Sequence, residues 1–393
     1  MYSTEETIII KYAVSRSIKI LVTVFFIPII IIIRILRPVA YIRIGYFTCE
    51  RIGHFAYDLG IALAEKELLN DKRVFDLRYL QGNPSNMQLL KMAKRSFYIS
   101  SWVRFLFHAN NLFPGRSHDL IPHRRQCASR DKNGALELTK SKLLFSQEEE
   151  GEAIATLKRF GVRYPEDKFI CLNVRDSEYF NEDKKSKNFA RNTDIKTYEE
   201  AALYLANHGY WVIRTGKKVK DSLLIKHKRI IDYAVSDDRS DLLDIWLFSK
   251  CYFCISTGTG IDAVADIYRR PLLFVNFIPL THMITWSRSI TASKHLIWKD
   301  SGVHLTLSEY LKYHYNDKRI DVVDLDPNEI KSVVMEMIGQ LDGTLDYSKE
   351  DEENQKIFMQ IYMRSKSFHK LNNYIHPNSR ISANFIRRDD FLT

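Results

Sequence analysis

Cys254-Ile255-Ser256-Thr257-Gly258-Thr259-Gly260-Ile261 reads as the end of a buried strand, a turn holding two glycines and three hydroxyls, and the start of a helix. In an open α/β sheet, ligands gather at the carboxyl ends of strands, and a helix N-terminus placed there favours anions. Glycine lets backbone N–H groups approach a phosphate closely, and Ser256, Thr257 and Thr259 add hydroxyl donors. The same string also fits an ordinary capped turn between strand and helix, and Asp262 in the first helical turn slightly opposes a phosphate. Its neighbours in the chain decide how much weight it bears.

Working outward, strands are expected at 169–174, 211–214, 230–234, 252–255 and 272–277. Helices fall between them: Asp194 caps one running to about Asn207, Ser240 caps one over 241–249, and a third covers 260–268. The alternation predicts a doubly wound, mostly parallel sheet. Asn173-Val174-Arg175-Asp176 closes its first strand. Arg175 has the planar fork that suits a pyrophosphate, though a surface pair with Asp176 fits the spacing equally well. Arg191-Asn192 precedes the cap Asp194, and Arg214-Thr215-Gly216-Lys217 closes the next strand. Three arginines on one expected rim suggest a diphosphate neutralised by guanidinium and helix dipole, with no metal. Asp324-Leu325-Asp326 has the spacing of a metal-binding carboxylate pair, but Pro327 and Glu329 make Asp326 a helix N-cap.

The first third reads as a separate α/β unit, with strands at 41–47 and 74–80 and helices at 54–67 and 86–95. In the turn Arg51-Ile52-Gly53-His54, His54 suits a general base and Asp58, one helical turn on, suits its orienting partner. A histidine capping or packing at a helix start is the plainer alternative. Residues 96–136 are aromatic and basic, including His108, Arg116, His118, His123, Arg124 and Arg125, and give no clear element. The span from Ile20 to Ile33 carries no charge, contains Pro28, and is flanked by Lys11, Arg16 and Lys19 before and by Arg34, Arg37 and Arg43 after. A helix over it measures about 21 Å against a hydrocarbon core of about 30 Å. A kinked re-entrant or interfacial membrane segment is expected, ahead of a full span, a cleaved leader or a buried core helix. The expected divisions are a membrane-attachment segment at 1–39, an acceptor domain at 40–145, a donor domain at 146–340 opening on a connector helix at 146–160, and a helical tail at 341–393.

Composition agrees with a folded, two-domain chain: 393 residues, 45% apolar and 27% charged. The net charge of +10 sits entirely in residues 1–130, which hold 19 Lys and Arg against 9 Asp and Glu. That placement points to an anionic lipid or acceptor and, without any accompanying motif, not to nucleic acid. Cys49, Cys127, Cys171, Cys251 and Cys254 are odd in number and scattered, and the C-x-x-C pair Cys251 and Cys254 lies in an apolar strand-like run. They read as packed thiols in a reducing compartment.

The order of these pieces resembles an uncharacterised group of bacterial glycosyltransferases from surface-polysaccharide loci. The resemblance rests on Arg51-Ile52-Gly53-His54; Val174-Arg175-Asp176; Arg191-Asn192 with Asp194 and Tyr198; Gly209-Tyr210-Trp211-Val212-Ile213-Arg214 with Gly216; and Tyr233-Ala234 with Asp237 and Arg239-Ser240-Asp241. The turn 256–260, Asn276 with Pro279, and Arg380-Ile381-Ser382 with Phe385 complete it. It implies a GT-B type fold, in which two Rossmann-like α/β domains face a cleft, and metal-independent transfer with no cofactor beyond the nucleotide-sugar donor. The donor site would comprise Arg175, Asp176, Arg191, Asn192, Arg214, Gly216, Ser256, Thr257, Gly258, Thr259, Gly260 and Asn276. The acceptor would be lipid-linked or a glycan, as in lipopolysaccharide synthesis, at the cytoplasmic face of a bacterial inner membrane. A nucleotide-sugar epimerase or hydrolase of the same fold and a non-catalytic membrane-bound assembly protein are the competing readings.

Overall fold

The structure is a computed structural model and describes residues 23–115, 118–120, 129–178, 188–388 and 390–392. The chain divides into two compact units, Met1–Ser129 and Arg130–Thr393.

In the first unit a short helix α1 (Ile27–Ile35) precedes β1 (Tyr41–Thr48), α2 (Ile52–Leu69), β2 (Val74–Gln81), α3 (Met87–Ser96), β3 (Tyr98–Ile99) and α4 (Val103–Asn110). The three strands form one parallel sheet in the order β1-β2-β3. Asn86 caps α3 by accepting the Leu89 N–H at 2.9 Å. Across the strand pair, Arg43 forks onto Asp76 at 2.7 and 3.0 Å. The buried Arg78 reaches the same carboxylate at 3.3 Å and lies over the rings of Phe47 and Phe97. Two cations of the basic first third are therefore held within the sheet, against one aspartate.

The expected N-terminal membrane segment is overturned. Among the described residues no helix is long and apolar enough to cross a membrane. Phe26 is a turn, and α1 begins beyond it with Pro28 in its first turn, where the missing N–H costs no hydrogen bond. Ile30 and Ile33, one turn apart, are buried against Ile44, Tyr79, Val103, Leu106 and Phe107. Arg34 does not reach for a headgroup. It donates to Asn110 Oδ1 at 3.1 Å and to the Pro114 carbonyl at 3.3 Å, and lies over Phe113. The helix is thus docked on its own domain by one face, while Ile31, Ile32 and Ile35 stay exposed. The localisation expected from that segment, attachment at the inner face of a membrane, falls with it. Lys11, Arg16, Lys19 and Ile20, like Arg116, His123, Arg124, Arg125 and Cys127, lie outside the described residues.

The second unit opens with α5 (Gln147–Arg159), whose Ser146 and Glu149 close a reciprocal capping box. Then follow β4 (Phe169–Asn173), α6 (Glu199–Asn207), β5 (Trp211–Arg214), β6 (Ile230–Asp232), α7 (Asp241–Lys250), β7 (Cys254–Ser256), α8 (Asp262–Ile267), β8 (Leu272–Phe274) and β9 (Ser289–Thr291). An antiparallel pair, β10 (His295–Trp298) and β11 (Ile320–Val323), encloses α9 (Leu307–Lys312). The chain finishes with α10 (Pro327–Asp342), α11 (Lys349–Arg364), α12 (Lys366–Leu371), β12 (Ser379–Ile381) and α13 (Ala383–Ile386).

The central sheet has seven parallel strands in the order β12-β9-β8-β7-β4-β5-β6. Every residue of β4, β5, β7 and β8 is buried, as a parallel sheet covered on both faces requires. From β4 the chain winds outward through β5 and β6, then returns to lay β7 on the other side of β4 and winds outward again. The winding direction reverses between β4 and β7, and a doubly wound sheet opens its ligand crevice at the carboxyl ends of such a pair. Cys171, Cys251 and Cys254 are free thiols packed in this core, and burial pushes Cys171 and Cys254 up.

Candidate functional site

At the β4/β7 reversal, Asn173 and Ser256 are direct neighbours in register. Beyond them the two strand ends are laced together. The Arg175 N–H donates to Thr257 Oγ1 at 3.0 Å, and the Asn173 amide donates to Thr259 Oγ1. Ser256 organises the turn from beneath: its buried Oγ accepts Gly258 N–H at 3.1 Å and Thr259 N–H at 3.4 Å and donates to Asp262 Oδ2 at 2.8 Å. The sequence suggested that Ser256 and the turn's amides all face a ligand. The structure instead spends Ser256 and two amides on the shape of the turn. What the turn presents is its outer rim, the half-buried Gly258 and Thr259 and the exposed Gly260.

Gly258 is in the left-handed region at φ +77°, and a Cβ there would sit 2.7 Å from two ring carbons of Phe277. Both conditions call for glycine. Its carbonyl accepts from Arg191 at 2.8 Å. Arg175 Nε donates to Asn192 Oδ1 at 3.1 Å, and the Arg175 carbonyl accepts Thr193 N–H at 2.9 Å. Arg175, Arg191, Asn192 and Gly258 thus form one continuous polar rim.

Asp262 starts α8 and is almost wholly enclosed. Burial pushes its carboxyl up to about 7, against the hydrogen bonds from Ser256 and the Thr259 N–H; Asp266 raises it further and Arg191 lowers it. Near neutral pH the group is therefore partly protonated and opposes an anion less than an ionised aspartate would.

Other expected donor residues stand elsewhere. Arg214 is 1% exposed; it pairs with Asp232 across the β5/β6 ladder at 2.9 Å and donates to the Asp221 carbonyl at 2.8 Å. Its guanidinium is held inside the sheet by these two partners. Asp176 accepts Lys220 N–H at 2.8 Å and Glu178 N–H at 2.9 Å, so it ties the loop after β4 to the loop after β5. Gly216, at φ +158°, packs where a Cβ would meet Val219 at 2.6 Å. Asn276, a left-handed non-glycine residue at φ +57°, lies beneath the rim: its amide donates to Thr193 Oγ1 and Tyr198 OH, each at 3.2 Å, and its Oδ1 accepts Leu325 N–H at 2.8 Å. Asp326 caps α10 through the Asn328 and Glu329 N–H groups, and Asp324 faces Lys294 and Thr193. The two carboxylates of the D-x-D string therefore serve separate partners.

Sequence reasoning missed Lys294 and Thr193 and gave Asn173 no role of its own. Lys294 stands alone between Ser293 and His295, with no motif to flag it.

In the first unit, His54 sits in the first turn of α2, and its Nδ1 lies 3.2 Å from Ser129 Oγ. Burial lowers its pKa, partly offset by Asp58, and Arg51 lowers it further, so the ring is neutral at pH 7. Asp58 is buried and accepts the Thr48 N–H at 3.0 Å. It acts on His54 through its charge, while the hydrogen bond that orients the imidazole comes from Ser129.

No protein-family model matches the chain, and no curated protein matches it in sequence. Among solved structures it is similar to a family 9 glycosyl transferase from Veillonella parvula, with 11% identity, TM-score 0.43, 65% of this chain and 86% of that one covered. The Escherichia coli ADP-heptose LPS heptosyltransferase II is similar at 12% identity and TM-score 0.39, over 76% of this chain and 99% of its own. The dodecameric iron-containing glycosyltransferase TibC from enterotoxigenic E. coli follows at 11% and 0.37, over 78% and 77%. At these identities and TM-scores the likeness alone carries neither a family nor an activity over to this chain.

Proposed function

We propose that the chain is a glycosyltransferase that moves a sugar from a nucleotide diphosphate sugar to a hydroxyl acceptor. The observation that carries this reading is the rim at the β4/β7 reversal, where Arg175 and Arg191 flank a glycine turn at the carboxyl ends of two buried strands. A diphosphate leaving group needs positive charge as its bond to the anomeric carbon breaks, and two guanidiniums beside the turn would supply it. His54 would take the proton of the acceptor hydroxyl as that oxygen bonds to the anomeric carbon; its neutral imidazole is the form a base requires. The resemblance to surface-polysaccharide enzymes supports a glycan or lipid-linked acceptor of bacterial origin.

The test is a thermal-shift panel with UDP, GDP and ADP, and with CMP as the monophosphate control. One of the diphosphates raises Tm in the unaltered chain, and the shift shrinks in an R175M/R191M variant that still unfolds cooperatively. No shift with any nucleotide overturns the donor reading.

A further inference from the structure

Behind the rim lies a polar network in which Lys294 is 2% exposed. Its ammonium donates to the Asn192 carbonyl at 2.6 Å and pairs with Asp324 Oδ1 at 2.5 Å. Asp324 Oδ2 accepts from Thr193 Oγ1, which in turn accepts from the Asn276 amide at 3.2 Å. Asn276 closes the circuit by accepting the Leu325 N–H beside Asp324. Four separate stretches of chain meet here: 192–193, 276, 294 and 324–325. A buried cation paired with a carboxylate is weak evidence for stability, because desolvation offsets much of the attraction. Burial indeed lowers the Lys294 pKa, with Asp324 opposing the shift.

Its geometry gives it another use. Asn192 carries Lys294 on its main chain and Arg175 Nε on its side chain. The residue before it, Arg191, holds the Gly258 carbonyl, and the residue after it, Thr193, donates its N–H to the Arg175 carbonyl. These contacts of the two rim arginines all pass through 191–193, and Lys294 with Asp324 grips that segment from below. We propose that Lys294 and Asp324 are positioning residues: they fix residues 191–193 so that Arg175 and Arg191 converge on the diphosphate of the donor. This inference rests on the donor reading above.

The test uses the full chain and calorimetric titration with the nucleotide selected by the panel. K294M keeps the length of the stem, and Asp324, with its side chain 29% exposed, can be solvated when its partner is gone. In the otherwise unaltered chain K294M weakens nucleotide affinity by about tenfold or more, as a misplaced pair of charges should. In an R175M/R191M background K294M changes what affinity remains by less than about twofold, since it acts only through those arginines. D324N, which keeps the shape but weakens the ion pair, shows the same pattern with a smaller loss and serves if K294M does not fold. An equal loss in both backgrounds, or unchanged affinity in the first, overturns the proposal. If the unaltered chain binds no nucleotide, the donor reading itself fails, and that outcome is distinct from binding that K294M leaves intact.

Discussion

Replacing Asp262 with asparagine removes a carboxyl that the fold has pushed from 3.8 up to about 7, chiefly by burial. Between those two values the folded chain keeps a proton that the unfolded chain has released. Stability therefore falls as pH rises through that window: the contribution is fully present below the unfolded value and gone above the folded one. One proton corresponds to about 1.4 kcal/mol for each pH unit, so the loss from about pH 5 to about pH 8 amounts to about 3 kcal/mol. The amide of D262N has nothing to titrate. It still accepts from Ser256 Oγ, and its mismatch with the Thr259 N–H costs about 1–3 kcal/mol at every pH. The two stability curves should cross, with the unaltered chain more stable in mild acid and D262N level or better above neutrality. Scanning fluorimetry across that range reads the effect directly. At about 2–4 °C per kcal/mol for a unit of this size, the Tm of D262N relative to the unaltered chain climbs by about 6–12 °C. Parallel Tm profiles would refute the reasoning, because they would mean that Asp262 is ionised throughout and that the turn tolerates its charge.

Three further outcomes follow from the same contacts. G258A forces a Cβ into a left-handed position against the Phe277 ring, costing about 1–3 kcal/mol; it shifts the carbonyl that holds Arg191, so both Tm and nucleotide affinity drop. R214M leaves Asp232 without its cation, which lowers stability by about 3 kcal/mol, while calorimetry on the folded variant finds nucleotide affinity unchanged; a selective loss of affinity would return Arg214 to the donor site. H54A reduces transfer by about 10²–10⁴-fold. In the unaltered chain the lowered pKa of His54 keeps the base neutral below its ordinary 6.5, so activity persists into mild acid and fails only as pH falls through the lowered value; a rate that falls already near neutrality would count against His54.

Much of the second unit was legible because its signals are local. Ser146, Ser240 and Asp326 cap the helices that begin beside them, and Asp194 caps a 3-10 turn, Ile195–Tyr198, that leads into α6 where one continuous helix was expected; a side-chain oxygen before a helix answers to the next three residues alone. The strand ends bearing Asn173 and Ser256 could be read from apolar runs closed by polar residues. Arg214 shows where that logic stops. Its place at a strand end is visible in the sequence, but its direction is set by Asp232, eighteen residues on, which becomes a neighbour only once β5 and β6 pair. Lys294 and Asp324 were invisible for the same reason, as their bond joins segments that the chain brings together late. The isoleucine run misled differently: hydropathy reports how apolar a segment is and not what covers it, and here Val103, Leu106 and Phe107 of α4 cover one side.

The far edge of the seven-stranded sheet has its own consequence. β9 is bordered by β12, which is held in place by Glu336 of α10 through Ser382 Oγ at 2.6 Å and Ala383 N–H at 3.0 Å. The last strand thus works as a cover strip for β9. A nick or premature stop before Ser379 would leave the turn at 256–260 untouched in sequence, yet would lay bare the backbone groups of Ser289 and Thr291 that face β12 as a template for another chain. Forms shortened before Ser379 are therefore expected to self-associate along that edge.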